Sequence, residues 1–159
     1  MTPDAPSADQ TRLVVFNLDS LRYAVALETV ERVVPRPEIA PFPRAPKIVS
    51  GVFVLHGDMI PVVDVRSRFR LPEVAPRLSD QLLVVRTRRR RVALVVDRVD
   101  GVLAVAPNEL VDPGAIVPGV EHVRGVVRLT DGVVFVHDLD AFLSLDEEAQ
   151  LDAAWEANN

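Results

Sequence analysis

The chain has 159 residues, of which 48% are apolar and 26% charged, with a formal net charge of −5. That length and apolar content can bury a sizeable core in one domain or two fused subdomains, and the absence of cysteine excludes disulfides and thiolate chemistry. The acidic surplus sits after residue 145, where Asp146, Glu147, Glu148, Asp152 and Glu156 stand without any Lys or Arg, and the body before it carries 23 − 5 = 18 acidic against 18 basic residues. A neutral body with an acidic tail is a poor match for phosphate-backbone recognition, which needs clustered cations, so no nucleic-acid partner is expected.

Residues 1–11 (MTPDAPSADQT) have neither a basic start nor an apolar stretch, and read as a disordered leader on a cytoplasmic protein. No apolar run approaches bilayer length, because Arg and Asp interrupt every valine-rich stretch, so no membrane insertion is expected. The strand candidates are 12–18, 22–26, 30–34, 51–55, 60–65, 81–86, 92–97, 102–106, 123–129 and 133–137. They are short and valine-rich, as β-branched residues on a pleated surface should be. His56-Gly57-Asp58 and Thr130-Asp131-Gly132 read as tight hairpins, while Asn17 to Ser20 and Arg88 to Arg91 read as matching turns. Prolines crowd residues 35–46 and return at Pro107, Pro113 and Pro118, marking two crossovers. Asp64 and Asp138 each follow a strand and suit N-caps. Ser144 with Glu147 fits a capping box, opening a helix over the acidic tail 146–159 whose apolar stripe is Leu145, Leu151 and Trp155.

An internal repeat organises these elements. Residues 51–69 recur as 125–143 at an offset of 125 − 51 = 74, pairing Gly51 with Gly125, Leu55 with Leu129, Ile60 with Val134 and Asp64 with Asp138. Upstream, residues 13–34 run parallel to 82–103 at 93 − 24 = 69, so a short insertion separates two copies of one β unit. The fold expected is all-β, two SH3-like five-stranded barrel subdomains over 12–145, with short helices and a C-terminal helix. Apolar positions persist through the repeat while polar ones drift, the behaviour of a scaffold.

Candidate chemistry is sparse. His56, His122 and His137 lack metal-site spacing, and His137-Asp138 reads as a strand-end histidine beside a capping aspartate. Asp97 and Asp100 could pair as carboxylates, yet the repeat aligns them with Glu28 and Glu31 as loop positions. No G-x-S-x-G elbow and no phosphate-binding loop are present. No catalytic residue, metal site or cofactor is therefore expected. The run 86–91 (RTRRRR), without interleaved aromatics, reads as a solvated hairpin tip, with polyanion or small-ligand binding by a β-barrel module as its alternative. Ile39, Phe42, Val49 and Val52 either form an apolar protein-binding surface or plug barrel ends.

Several strings resemble the CheW family of chemosensory adaptors: F-x-L-x-x-x-x-Y-A-V at 16–25, V-x-R-V-V at 30–34, A-P-x-x-x-x-G-V at 45–52, G-x-x-I-P-V-V-D-x-R at 57–66 and V-A-L-V-V-D-x-V at 92–99. The resemblance spans about residues 12–151 and implies two SH3-like subdomains, no enzymatic activity, and a role coupling chemoreceptor cytoplasmic tips to the regulatory domain of a CheA-type histidine kinase. It places Val30, Gly51 and His56 at receptor-binding positions, with Arg32 and Val33 beside them on the first subdomain's partner-facing edge. Two residues depart from the family pattern: His56 stands where an arginine is common, and Arg32 where an acid is common. A related reading keeps the fold but places the adaptor in a chemosensory-like pathway for motility, development or gene expression.

Overall fold

A computed structural model describes residues 10–112 and 123–158; Pro113, Pro118 and His122 lie outside these, as does most of the 1–11 leader, although its last residue, Thr11, already opens the first strand. The strands are β1 (Thr11–Leu18), β2 (Leu21–Ala26), β3 (Val30–Pro35), β4 (Val49–Leu55), β5 (Asp58–Val63), β6 (Gln81–Arg86), β7 (Arg91–Val96), β8 (Arg98–Val105), β9 (Leu110–Val111), β10 (Val123–Leu129) and β11 (Gly132–His137), and the helices are α1 (Val65–Arg68) and α2 (Leu145–Ala157). They form two sheets in the orders β8-β1-β2-β11-β10-β9 and β3-β6-β7-β5-β4, the expected pair of SH3-like subdomains.

The repeat survives at the level of register. Val49 pairs with Val63, a bulge intervenes, and Gly51 then pairs with Val62; 74 residues on, Val123 pairs with His137, a bulge intervenes, and Gly125 pairs with Val136. The upstream copies match equally well, since the shift between Val30 and Arg32 against β6 reappears between Val15 and Phe16 against β8. β9, which the sequence patterning missed, is the counterpart of the isolated Ala40–Val52 bridge.

The two copies are nevertheless not the two subdomains. β3 leaves β1 and β2 to pair with β6, while β8 returns to pair with β1. Subdomain 2 is therefore the contiguous stretch β3 to β7, and subdomain 1 combines β1 and β2 with β8 to β11. This corrects the expectation of one barrel per half. It also moves Val30, Arg32 and Val33 onto subdomain 2.

Valine runs without polar alternation now have a cause. Leu13, Val15 and Ala24 fill the interior of subdomain 1 with Val127, Val134 and Val136, whereas Val14, Phe16, Leu18 and Val25 point the other way. In subdomain 2, Leu82 and Val84 face its interior with Phe53 and Ile60, while Leu83 and Val85 face outward. The outward sets meet in one shared core, so β1 and β6 are buried on both faces, the condition under which strands lose polar/apolar alternation. Phe42, Val49 and Val52 belong to that shared core and Ile39 packs into subdomain 2, so these residues plug the structure and do not form an exposed binding surface.

Helix α2 opens with the expected capping box: Ser144 Oγ accepts from Glu147 N at 3.1 Å and Ser144 N donates to Glu147 Oε1 at 2.9 Å. Leu151 and Ala154 enter the shared core and Trp155 packs edge-on to Phe42, with ring centroids 5.6 Å apart. Leu145, at the first helical position, faces solvent at 74% exposure, a correction to the expected stripe. Leu151→Ala is expected to cost about 3 kcal/mol, as core leucine truncations do. In urea it should lower the unfolding midpoint and shift the emission of Trp155, the sole tryptophan, to the red at lower denaturant.

Acid should loosen the same helix. Burial pushes the Glu147 carboxyl up, but hydrogen bonds from Arg68 (2.5 Å) and the Ser144 backbone outweigh it and hold the pKa below the usual 4.5. A carboxyl depressed in the folded state contributes stability that is fully present above its unfolded pKa and lost as pH falls through the folded one. The docked state should weaken below about pH 4.5. Glu147→Gln should flatten that part of the acid limb in a melting-temperature series.

Candidate functional site

Many charged residues among the described ones pair across separate elements of the fold. Arg66, in α1 of subdomain 2, donates to both oxygens of Asp97 at 2.8 and 2.9 Å and pairs at 2.8 Å with Asp19 in the β1–β2 turn of subdomain 1. Burial pulls the guanidinium down, but hydrogen bonds to Asp97 and Asp19 prevail and hold its pKa above the ordinary arginine value. Asp97 also accepts from the Asp19 amide at 2.7 Å. Asp100 accepts from Asn17 at 2.6 Å and Arg98 at 2.9 Å, so the two carboxylates are structural and not an acid–base pair.

The repeat carries this tether to a second place with its charges reversed. Position 66 + 74 = 140 is Asp140 and position 19 + 69 = 88 is Arg88, and these two pair at 3.2 Å. The clefts beside the tethers match as well: Ser50, Asp64, Arg66, Val95 and Asp97 line one, and their counterparts Arg124, Asp138, Asp140, Ala26 and Glu28 line the other. The predicted caps sit at both, with Asp64 accepting from Ser67 N at 3.2 Å and Asp138 from Asp140 N at 3.1 Å.

The arginine run is largely neutralised within the molecule. Arg86 and Arg91 meet Glu31, Arg91 also meets Asp58 at 2.6 Å, Arg88 meets Asp140, and Arg90 holds Glu148 at 2.8 Å and Asp152 on α2. Charges committed this way are poor electrostatic bait for a polyanion. His137 ends β11 beside the capping Asp138, as expected, and its ring is buried among Tyr23, Phe69 and Phe142, with its centroid 4.0 Å from that of Phe69, a packing role the sequence did not indicate. Among the described residues, no three His, Asp or Glu converge as metal ligands.

The residues expected to meet partners divide in two. Val30, Arg32 and Val33 lie on β3, the terminal strand of subdomain 2, and Arg32 reaches across to the β4–β5 turn, where its Nη1 donates to His56 Nε2 at 2.7 Å. Arg32, Val33 and His56 are exposed. The structure thus brings Arg32 and His56 together, residues that sequence alone placed only near one edge. His56 (φ 51°) and Gly57 (φ 87°) both take the left-handed conformation that a two-residue hairpin requires. Val30 packs in part on the shared core, so a charge there disturbs packing as well as surface. Gly51 is buried, and a Cβ on it would fall 2.2 Å from the Ala40 carbonyl oxygen. Its side-chain-free Cα is a packing requirement, which the repeat hinted at by keeping Gly125.

Fold and site together define a double SH3-like β domain, stitched by ion pairs, in which β3 is a terminal strand of its sheet. Residues 12–147 match the CheW-like domain, and the chain belongs to that family. It is 28% identical to the chemotaxis protein CheW of Treponema pallidum, over 94% of this chain and 91% of that one, and 27% identical to its namesake from Thermotoga maritima, over 87% and 91%. The crystal structure of the scaffolding protein TtCheW from Thermoanaerobacter tengcongensis superposes with a TM-score of 0.78 at 23% identity, covering 86% of this chain and 94% of that one, a likeness of fold.

Proposed function

We propose that the protein is a non-enzymatic adaptor of chemotaxis signalling, joining the cytoplasmic tip of a chemoreceptor to the regulatory domain of a CheA-type histidine kinase in the cytoplasm. The observation that carries this reading is the match of residues 12–147 to the CheW-like domain, supported by relatives called chemotaxis proteins. No helix among the described residues is long and apolar enough to cross a membrane, in keeping with a partner that meets receptors from one side. The edge presented by Arg32, Val33 and His56 is the partner-facing surface in this proposal.

The experiment is reconstitution: the full chain, a CheA-type kinase and a receptor-tip fragment encoded in the same genome, each purified. The chain should retain both on an affinity column and raise kinase autophosphorylation when all three are present. Failure to retain either partner would overturn the reading. Retention of the kinase with no receptor fragment would favour the chemosensory-like circuit with other inputs, which the departures at Arg32 and His56 suggest.

A further inference from the structure

Charge is divided unevenly between the two bodies. Residues 30–96, which span subdomain 2, hold 13 Arg or Lys against 6 Asp or Glu, a net 13 − 6 = +7, and this leaves −5 − 7 = −12 on the rest of the chain. The ion pairs that cross between the two share one polarity among the described residues: Arg66 meets Asp19 and Asp97, Arg68 meets Glu147, Arg88 meets Asp140, and Arg90 meets Glu148 and Asp152. The cation always lies on subdomain 2. Helix α2 is the extreme case, with five acids and no base, laid against Arg68 and Arg90. Of its apolar side chains only Leu151 and Ala154 are buried, while Trp155 is partly covered against Phe42. An open cleft along the helix, lined by Met59, Pro61, Arg90 and Arg91 of subdomain 2 against Asp152 and Trp155, offers more of the same apolar and cationic surface.

We propose that the face of subdomain 2 beneath α2 is a docking groove for an acidic amphipathic helix of another protein, and that α2 is its resident competitor. Such a groove goes beyond the adaptor reading and does not depend on it. The chemistry of the guest is written in the resident: carboxylates that meet Arg68 and Arg90, one turn before a leucine that enters the apolar core. Exchanging one such helix for another keeps the ion pairs and the buried leucine made, so the exchange costs only the difference between two helices. A second copy of the chain is a poor donor of that helix. Phe142 and Leu143, immediately before the Ser144 cap, are buried and leave no free linker with which α2 could reach across.

The test uses the full chain and a synthetic peptide of residues 144–158 carrying Trp155→Phe, so that Trp155 of the chain is the sole tryptophan in the mixture. Labelled with fluorescein, the peptide should bind saturably by anisotropy; unlabelled, it should move the tryptophan emission to the red as α2 gives way. Asp152→Lys in the chain, at a side chain 62% exposed, weakens only the resident helix and should tighten the peptide about threefold. Glu148→Lys together with Asp152→Lys should tighten it about tenfold, the size expected when the competitor loses a charge-assisted hydrogen bond. Adding Arg90→Glu to that pair restores the resident contact with its signs reversed and should abolish binding. A merely structural role for Arg90 predicts no tightening in any of these chains. Absence of binding even to Asp152→Lys, which melts as the unaltered chain does, would overturn the proposal. So would equal binding of a peptide carrying Glu147→Lys, Glu148→Lys and Asp152→Lys, or an emission that stays fixed at saturation, which would place the peptide elsewhere. An unaltered chain that runs as a dimer and is dissociated by the peptide would make a second copy the guest and overturn the assignment to another protein.

Discussion

Gly51→Ala is expected to destabilise the protein by about 3 kcal/mol, at the upper end of overpacking effects, and Gly125→Ala by about 1 kcal/mol. The difference lies in what each new Cβ would meet. At Gly51 it is the Ala40 carbonyl oxygen at 2.2 Å, a backbone atom fixed by reciprocal 2.8 Å hydrogen bonds between Ala40 and Val52. At Gly125 the nearest atoms, at 2.6 and 2.7 Å, belong to the Leu110 side chain, which can rotate away. Yielding in the first case means detaching the proline-rich crossover from β4. Urea unfolding of both variants decides the matter, and equal midpoints would show that the Ala40 bridge gives way easily.

Arg66→Ala is expected to cost about 3 kcal/mol, whereas Arg88→Ala should change stability by less than about 0.5 kcal/mol, although the repeat makes them members of equivalent tethers. The Arg66 side chain is 10% exposed and leaves two carboxylates without their cation; the Arg88 side chain is 88% exposed and its loss is made good by water. Arg66→Lys should recover little, because one ammonium cannot reproduce the fork that grips both Asp97 oxygens and still reaches Asp19. Thermal melts of the three variants would test this, and a stable Arg66→Ala protein would mean that the shared apolar core alone holds the subdomains together.

Much of this architecture was legible because it is local. Valine runs bounded by turn residues gave ten strands, Asp64 and Asp138 announced caps, and Ser144 with Glu147 announced α2. Partner choice was not legible. A pattern repeated at an offset of 69 looks the same whether β3 lies against β1 or against β6, since both offer the same alternation of buried valines, so the exchange of β3 and β8 left no mark on periodicity. Leu145 misled because it stands 151 − 145 = 6 residues before Leu151, about 120° round the helix from it, and so falls off the buried stripe and faces solvent. Arg66 stood in a quoted string, yet its meaning required Asp19 and Asp97, 47 residues before it and 31 after. Arg32 and His56 each depart from the family pattern. Their contact needed the β4–β5 turn to fold back over the edge of β3.

Because β3 to β7 form one unbroken stretch while β1 and β2 must wait for β8, β10 and β11, the order of manufacture differs from the order of assembly. On a ribosome the β1–β2 hairpin emerges first and finds its neighbours last: Thr11 pairs with Val105, 94 residues later, and Tyr23 with Phe135, 112 residues later. During that interval a finished middle stands beside an unfinished shell, with Val14 and Phe16 of the early hairpin able to rest on Leu83 and Val85 before their own sheet exists. Nascent chains released just after Val96 should therefore protect the middle of the sequence from protease while leaving β1 and β2 open to cutting, and protection of both ends should arrive together once His137 has been made.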